Sequence, residues 1–349
     1  MITESIDQLP DGRAVSRWTL RNGSGASISV MELGATLLSV MVPDRDGTLC
    51  DVTLGHVQLA DYWSGRHYFG PVVGRYANRL ASAAFEIDGQ HYELPSNDGP
   101  NTLHGGPDGF DRRLWTGAAV KAPDGDGVRL ALRSEHGDQG FPGTLAVSIT
   151  FVWTADNRLI ADFAATCDRP TPLNLAVHGY WNLSASGSGE GIAGHELQLA
   201  AGSYLPVDCN RIPTGEIRPV QGTAFDFSAA HNLGDRLQAL REQPIDEAGY
   251  DHCWAIDGRG FRRAAVLYHP ISGRELMIET DQPGIQVYTA NHLDPSIPTR
   301  RGRSCTRHGA IALETQSFPN GPNQPGFPDT ILRPGRNWRS RTVFAFGVR

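Results

Sequence analysis

The stretch Phe85-Glu86-Ile87-Asp88-Gly89-Gln90-His91-Tyr92-Glu93 shows a pattern that recurs along this 349-residue chain. Apolar and polar residues alternate on both sides of Asp88-Gly89, and an Asp-Gly link between two alternating runs is a strong signal for a two-residue β-hairpin turn. Successive side chains of a strand point to opposite faces of a sheet. The stretch therefore predicts two antiparallel strands with one face buried and one exposed.

The same alternation, bounded by Gly, Pro, Asn and Asp, predicts further strands along the chain. The predicted strands are 26–32, 36–42, 85–87, 90–93, 128–133, 145–153, 159–166, 264–268, 275–279 and 342–346. Only 57–63 and 233–241 have the spacing of helices. The 40 glycines and 23 prolines are spread along the chain, as expected for many turns. We expect an all-β protein in which residues 1–349 form a single domain, a large antiparallel β-sandwich.

The composition excludes several classes of partner. Lys and Arg number 31 against 38 Asp and Glu, a formal net charge of −7, which argues against nucleic acid or an anionic membrane as partner. The first residues lack the basic and apolar regions of a signal peptide, and no apolar run reaches the roughly 18 residues of a membrane span. Five scattered cysteines without a CxxC pair indicate neither a disulfide framework nor a thiolate zinc site. We expect a cytoplasmic protein with a small-molecule partner.

Five separate stretches combine reactive side chains with Gly, Asn or aromatic neighbours, namely 74–79, 101–106, 178–182, 250–254 and 310–319. His178 interrupts an apolar run, and histidine titrates near neutral pH. Taken alone, His178 fits a hydrogen-bonded structural histidine better than a catalytic one. Glu314 also interrupts an apolar strand, where a carboxylate costs free energy unless it is paired or used. That position favours a functional role for Glu314.

Common catalytic motifs are absent from the sequence. There is no GxGxxG that opens a βαβ unit, and there is no P-loop, GxSxG, HExxH or His-x-His pattern. The basic run 300–303 is not flanked by apolar residues and is interpreted as a solvated loop.

Six motifs together resemble those of the aldose 1-epimerases, the galactose mutarotases. In chain order they are 74–80 (GRYANRL), 101–106 (NTLHGG), 178–183 (HGYWNL), 250–252 (YDH), 284–289 (GIQVYT) and 313–316 (LETQ). The resemblance spans nearly the whole chain. It implies a galactose mutarotase-like β-supersandwich, an isomerase without cofactor or metal, and interconversion of the α and β anomers of a free aldose, a monosaccharide.

The resemblance also implies residue roles. His178 would be the general acid and Glu314 the general base. The sugar would be held by Asn78, Arg79, His104, Asp251 and Gln286. These roles are chemically reasonable, because opening a pyranose removes a proton from the C1 hydroxyl and delivers one to the ring oxygen.

The chain departs from the family pattern next to the histidine, where Val177 and Gly179 replace an Asn and a Ser. We expect these two positions to influence which sugar fits. Three other interpretations stay open: a non-catalytic sugar-binding or sensing protein, a glycosidase or lyase using Asp251 and Glu314, and a metal-dependent isomerase using His104 with His178 and Glu314. The sequence leaves the choice between a monomer and a homodimer undecided.

Overall fold

In the computed structural model, antiparallel sheet dominates the described residues, which are 1–185, 191–241, 249–297, 299–300 and 305–349. The chain begins with a five-stranded meander in which each strand pairs with the next. Its strands are Ile2–Gln8, Ala14–Arg21, Ser27–Met31, Thr36–Pro43 and Leu49–Asp51.

A nine-stranded sheet and a six-stranded sheet follow. In spatial order the nine strands are Thr116–Ala122, Gly125–Ser134, Leu145–Trp153, Arg158–Cys167, Trp338–Val348, Arg274–Thr280, Arg262–Tyr268, Glu196–Leu199 and His231–Asn232. The six are Tyr180–Trp181, Ile311–Gln316, Gly284–Tyr288, Asp251–Ala255, Ser203–Leu205 and Arg218–Pro219. In both sheets, strands distant in sequence are neighbours in space.

Short elements complete the described fold. Four two-stranded pairs join Ala84–Ile87 to Gln90–Glu93, Arg79–Leu80 to Thr102–Leu103, Val72–Val73 to Ala176–Val177, and Thr171–Pro172 to Ile331–Leu332. The α-helices are Leu59–Ser64 and Leu233–Arg241. The 3₁₀ turns are Ala81–Ala83, Phe110–Arg112, Asp138–Gly140, Ile192–Gly194 and Gly321–Asn323.

One hydrophobic core takes side chains from all three large sheets. Ile28 of the five-stranded sheet, Ile149 of the nine-stranded sheet and Leu313 of the six-stranded sheet belong to the same buried cluster and are fully buried. Sheets that bury their inner faces against one another form a sandwich. The predicted all-β antiparallel sandwich is therefore confirmed.

Most predicted elements are present, with shifted ends. The strand Leu145–Trp153, the helix Leu233–Arg241 and the hairpin around Asp88-Gly89 are where the patterns predicted them. The helix predicted at 57–63 begins only at Leu59. The strand predicted at 128–133 begins at Gly125, because Gly125 to Gly127 pair with Thr116–Ala122 although they look like a turn.

The first two strands were not predicted. Ile2–Gln8 is mostly exposed on both faces, so its sequence lacks the alternation that marks a half-buried strand. Among the described residues, no helix is long and apolar enough to span a membrane.

Candidate active site

The six-stranded sheet places the two predicted catalytic residues opposite each other. Tyr180 pairs with Ala312 across antiparallel strands, and continuing that register by two residues brings His178 opposite Glu314. On the other side, Gln286 is the direct partner of Glu314. Directly opposite residues share one face of an antiparallel sheet. His178, Glu314 and Gln286 therefore form a row across one face of the sheet.

His178 and Glu314 lie close together and are buried. Nε2 of His178 lies 3.5 Å from Oε1 of Glu314, and only 4% and 2% of the two side chains are exposed. The other polar atom of each side chain, Nδ1 of His178 and Oε2 of Glu314, has no hydrogen-bond partner among the described residues. Both groups therefore keep hydrogen-bonding capacity for a ligand.

Burial shifts the pKa values of this pair in opposite directions. Desolvation lowers the pKa of His178 to about 4, although the charge of Asp251 acts to raise it. Desolvation raises the pKa of Glu314 well above its ordinary value, against the lowering effect of Arg79. Burial disfavours the charged form of each group. Burial therefore favours the neutral imidazole of His178 and the neutral carboxyl group of Glu314.

Two tyrosine rings stack on the imidazole of His178. The ring of Tyr180 lies 5.0 Å away at an interplanar angle of 30°, and that of Tyr68 lies 5.7 Å away at 24°. The ring of His104 meets the same imidazole edge-on at 5.2 Å. Aromatic contacts therefore surround the imidazole that Glu314 faces.

Asp251 is held by an amide and a guanidinium. Its Oδ1 accepts a 2.6 Å hydrogen bond from Nε2 of Gln286, and its Oδ2 lies 3.4 Å from Nη1 of Arg79. The Nε of Arg79 donates to Oδ2 of Asp98 at 2.7 Å. Although burial acts to raise it, the pKa of Asp251 is lowered overall, because Arg79 and Gln286 stabilise the carboxylate. Asp251 is therefore an ionised acceptor beside His178 and Glu314.

Asn78 and His104 fix each other through the backbone. The N–H of His104 donates to the carbonyl of Asn78 at 3.0 Å, and the N–H of Asn78 donates to Nδ1 of His104 at 3.1 Å. Both residues have positive φ, 63° and 51°, a strained conformation that clusters at functional sites. Burial lowers the pKa of His104 well below its usual value. His104 is therefore neutral, and its proton is on Nε2 as a hydrogen-bond donor.

Six of the seven predicted site residues line one cavity of about 230 Å³, which is room for a small solute because a water occupies about 30 Å³. They are Asn78, Arg79, His104, His178, Asp251 and Glu314. Gln286 is not on the wall and instead supports Asp251 from the sheet. A larger cavity of about 480 Å³ lies beside Trp338 and contains none of the predicted residues.

Several other residues from the predicted stretches lie elsewhere. Arg75 is buried and donates to the carbonyls of Pro142 and Gly143, which is a structural role. Arg300 is only 24% exposed and pairs with Asp51 at 3.3 Å, so the prediction of a solvated loop is wrong there. The rest of that run, 301–303, lies outside the described residues.

The two positions that depart from the family pattern do not face the sugar cavity. Val177 packs in the main hydrophobic core. Gly179 faces the indole of Trp181, to which an added Cβ would come within 2.9 Å. The expected influence of these two residues on the choice of sugar stays a prediction, and it would act through packing, because their neighbours are core side chains.

The sequence analysis missed several cavity residues, among them Tyr68, Asp98 and Arg211. Arg211 lies 3.9 Å from Oδ2 of Asp251 and has a φ of 60°. Asp98 lies in the segment 96–99 (SNDG), whose composition is that of an ordinary turn. Tyr68 follows a short helix, and the residues around it show no strand or helix periodicity. Only the positive φ of Tyr68, 52°, marks it locally, and a backbone angle is not readable from sequence.

The cavity also contains a candidate set of metal ligands. One ligand atom each from His104, His178 and Glu314 lies within 4.8 Å of the others. A metal ligand must present a lone pair, whereas the proton on Nε2 of His104 is fixed there by the hydrogen bond from Asn78 to Nδ1. The tautomer of His104 therefore suits donation to a sugar oxygen better than metal binding.

The comparisons with known proteins agree with this geometry. The family model described as aldose 1-epimerase matches residues 16–345. The chain is 40% identical to a galactose mutarotase of Rattus norvegicus, covering 98% of this chain and 97% of the relative. It is 37% identical to an aldose 1-epimerase of Escherichia coli K12, covering 99% of each. A solved aldose epimerase homologue from C. elegans superposes with a TM-score of 0.87 at 30% identity, covering 99% of each chain.

The β-sandwich and its buried polar cavity are therefore those of a sugar-binding isomerase. The chain belongs to the aldose 1-epimerase family, as the motifs predicted.

Proposed function

We propose that this chain interconverts the α and β anomers of a free aldose by acid–base opening and closing of the ring, with His178 as general acid and Glu314 as general base. The contact of 3.5 Å between two buried ionisable groups carries the proposal. Glu314 accepts the proton of the C1 hydroxyl while His178 protonates the ring oxygen. The open aldehyde then rotates about the C1–C2 bond, and the two groups exchange roles on closure.

The proton must move within the pair before the ring opens. Burial favours a proton on Glu314 over one on His178, whereas the proposed roles need it on His178. Asp251 favours a charged His178, and Arg79 favours a charged Glu314. We propose that sugar hydroxyls add hydrogen bonds to both charged forms and shift the proton to His178, since hydrogen bonds to a charged form favour it.

The surrounding residues hold the sugar in place. We propose that Nε2 of His104 and the guanidinium of Arg79 donate to sugar oxygens, and that Asp251, held by Gln286, accepts from a hydroxyl. The side chain of Asn78 adds an amide contact at the same wall. Donors already fixed in a buried site stabilise developing charge without reorganising.

Optical rotation gives the direct test. Freshly dissolved α-D-galactose, α-D-glucose, D-xylose and L-arabinose are followed by polarimetry in EDTA, with wild type, Glu314→Gln and His178→Asn. We expect wild type to accelerate mutarotation of at least one sugar. We expect each substitution to lower the catalysed rate by about 10²- to 10⁴-fold. His91→Asn is the matched control, because His91 is exposed and does not line the cavity.

Other outcomes distinguish the alternatives. Sugar binding by calorimetry without acceleration for any aldose contradicts the enzymatic proposal and supports a sugar-binding protein. Loss of activity in EDTA contradicts catalysis without a metal. Circular dichroism and thermal unfolding of each variant establish that the substituted proteins are folded. We further propose that residues 1–349 act as one domain, in the cytoplasm, on a monosaccharide.

A further inference from the structure

We propose that Tyr68 is a positioning residue that fixes the orientation of the His178 imidazole by ring stacking, in the place of a hydrogen bond. The kinetic consequences of this role rest on the proposed function. The ring contact between Tyr68 and His178 is independent of that function.

The two cavity histidines are held in different ways. His104 is oriented by the hydrogen bond from the Asn78 N–H to its Nδ1. Nδ1 of His178 is buried without such a partner from another described residue, and the backbone contact that raises the pKa of its ring comes from His178 itself. A buried catalytic histidine is commonly oriented through the nitrogen that does not react. Packing must therefore set the angle of the His178 ring.

Tyr68 contacts both histidines at once. Its ring centroid lies 5.7 Å from that of His178 and 4.6 Å from that of His104. The other stacked ring, Tyr180, is two residues after His178 and belongs to the same sheet. Tyr68 comes from a separate segment before Gly70. Its ring therefore links the imidazole to a segment that is not part of that sheet.

The backbone holds Tyr68 in this place. Its φ of 52° is costly for a residue with a large side chain. The N–H of Gly70 donates both to the carbonyl of Tyr68 and to the carbonyl of His178, at 2.9 Å each. A Cβ on Gly70 would lie 2.1 Å from the carbonyl oxygen of Leu37. Tyr68 and His178 are thus coupled through one amide as well as through their rings.

Tyr68 also keeps water from the imidazole. The titratable or charged groups around His178 are Glu314 at 3.5 Å, the rings of His104, Tyr68 and Tyr180, and the charge of Asp251. Desolvation is the main reason that the pKa of His178 is low. Removing the Tyr68 ring admits water on that side and so brings the pKa of His178 back toward its ordinary value.

The test compares Tyr68→Phe, which keeps the ring, with Tyr68→Leu and Tyr68→Met, which do not. We expect Tyr68→Phe to stay within about twofold of wild type. We expect each ring-free variant to lose about tenfold or more in kcat with a smaller change in KM, since a misplaced catalytic group slows the chemical step. Two ring-free side chains are used so that one failing to fold does not end the test.

An NMR titration of the His178 Hε1 resonance gives a readout independent of activity. We expect the pKa of His178 to rise in Tyr68→Leu and Tyr68→Met and to stay unchanged in Tyr68→Phe. Tyr288→Leu is the matched control, because Tyr288 lines the cavity and contacts the ring of Tyr180. It should leave the His178 titration unchanged.

Three results overturn the proposal. One is an equal loss in Tyr68→Phe, which would give the role to the hydroxyl. Another is a wild-type kcat and an unshifted His178 titration in the folded ring-free variants. The third is an equal shift in Tyr288→Leu. A shifted titration in a protein that never accelerates mutarotation would support the ring contact and contradict only the proposed function.

Discussion

Nε2 of His178 lies 3.5 Å from Oε1 of Glu314, although His178 just precedes the strand Tyr180–Trp181 and Glu314 lies far along the sequence in the strand Ile311–Gln316. The register that pairs Tyr180 with Ala312 brings them together. An acid and a base on neighbouring strands of one sheet have a fixed separation, because the strand spacing is fixed. The sheet itself therefore sets the geometry of the proposed proton transfer.

This contact predicts the pH dependence of kcat/KM. The singly protonated pair is the active form, whichever atom carries the proton, and the two apparent pKa values belong to the pair. The pair gains a second proton as the pH falls toward the lowered pKa of His178, about 4. It loses its only proton as the pH rises past the raised pKa of Glu314.

We therefore expect a bell-shaped profile of kcat/KM, measured by polarimetry after subtraction of the spontaneous rate, with its acidic limb near pH 4. An acidic limb near pH 6.5 would contradict the assignment.

Asp98 should be needed for activity although it is not one of the motif residues. Its Oδ2 accepts a 2.7 Å hydrogen bond from Nε of Arg79, which fixes the guanidinium beside Asp251. A charge-assisted hydrogen bond contributes about 1.5–3 kcal/mol. We expect Asp98→Asn to lower kcat/KM by about 10- to 100-fold.

Asp88→Asn is the matched control for Asp98. Asp88 also pairs with an arginine, Arg333, at 2.8 and 2.9 Å, but this pair is exposed and away from the cavity. Its loss should leave kcat/KM unchanged. Equal effects of the two substitutions would rule out a specific role for Asp98.

Gly179 should not tolerate a side chain. A Cβ there would lie 2.9 Å from Cζ2 of Trp181, whose ring is fully buried and cannot move aside. Overpacking a core typically costs about 1–3 kcal/mol. We expect Gly179→Ala to lower the free energy of unfolding by that amount in urea denaturation.

Gly23→Ala controls for the loss of glycine itself, because nothing lies within 4 Å of the added methyl group and its φ is not positive. Its unfolding free energy should stay close to that of wild type. A Gly179→Ala protein as stable as Gly23→Ala would show that the Trp181 ring can shift.

His195 should make the fold sensitive to acid. It is fully buried, and its Nε2 accepts the N–H of Leu183 at 2.9 Å. Burial, and then the neighbouring His269, lower its pKa to about 3. Between pH 6.5 and that value the unfolded chain binds a proton that the folded chain does not. Stability is therefore lost as the pH falls, by up to about 1.4 kcal/mol per pH unit from this residue.

We expect His195→Gln to reduce the slope of unfolding free energy against pH between 6.5 and 5, measured by urea denaturation. The glutamine oxygen replaces the acceptor for Leu183 without binding a proton. The exposed His91→Gln serves as control and should keep the wild-type slope. The same slope in His195→Gln as in wild type would contradict this role.

Local patterns predicted a large part of the fold. Alternation and turn residues located hairpins such as Ala84–Ile87 with Gln90–Glu93, because register and turn chemistry act between neighbours. Polar residues inside apolar stretches singled out His178 and Glu314, because burial makes such residues costly without a use. The strand Ile2–Gln8 was not predicted. Because both of its faces are mostly exposed, its sequence lacks the alternation of apolar and polar residues.

The amino-acid sequence alone thus determined the all-β class, the family and the identity of the candidate catalytic residues. The tertiary structure determined what those residues can do. The pairing of Gln286 with Glu314, the carboxylate of Asp98 on Arg79 and the ring of Tyr68 on His178 all join distant segments. Burial in the folded state, rather than residue type, then sets the protonation of His178 and Glu314, because desolvation depends on everything packed around a group.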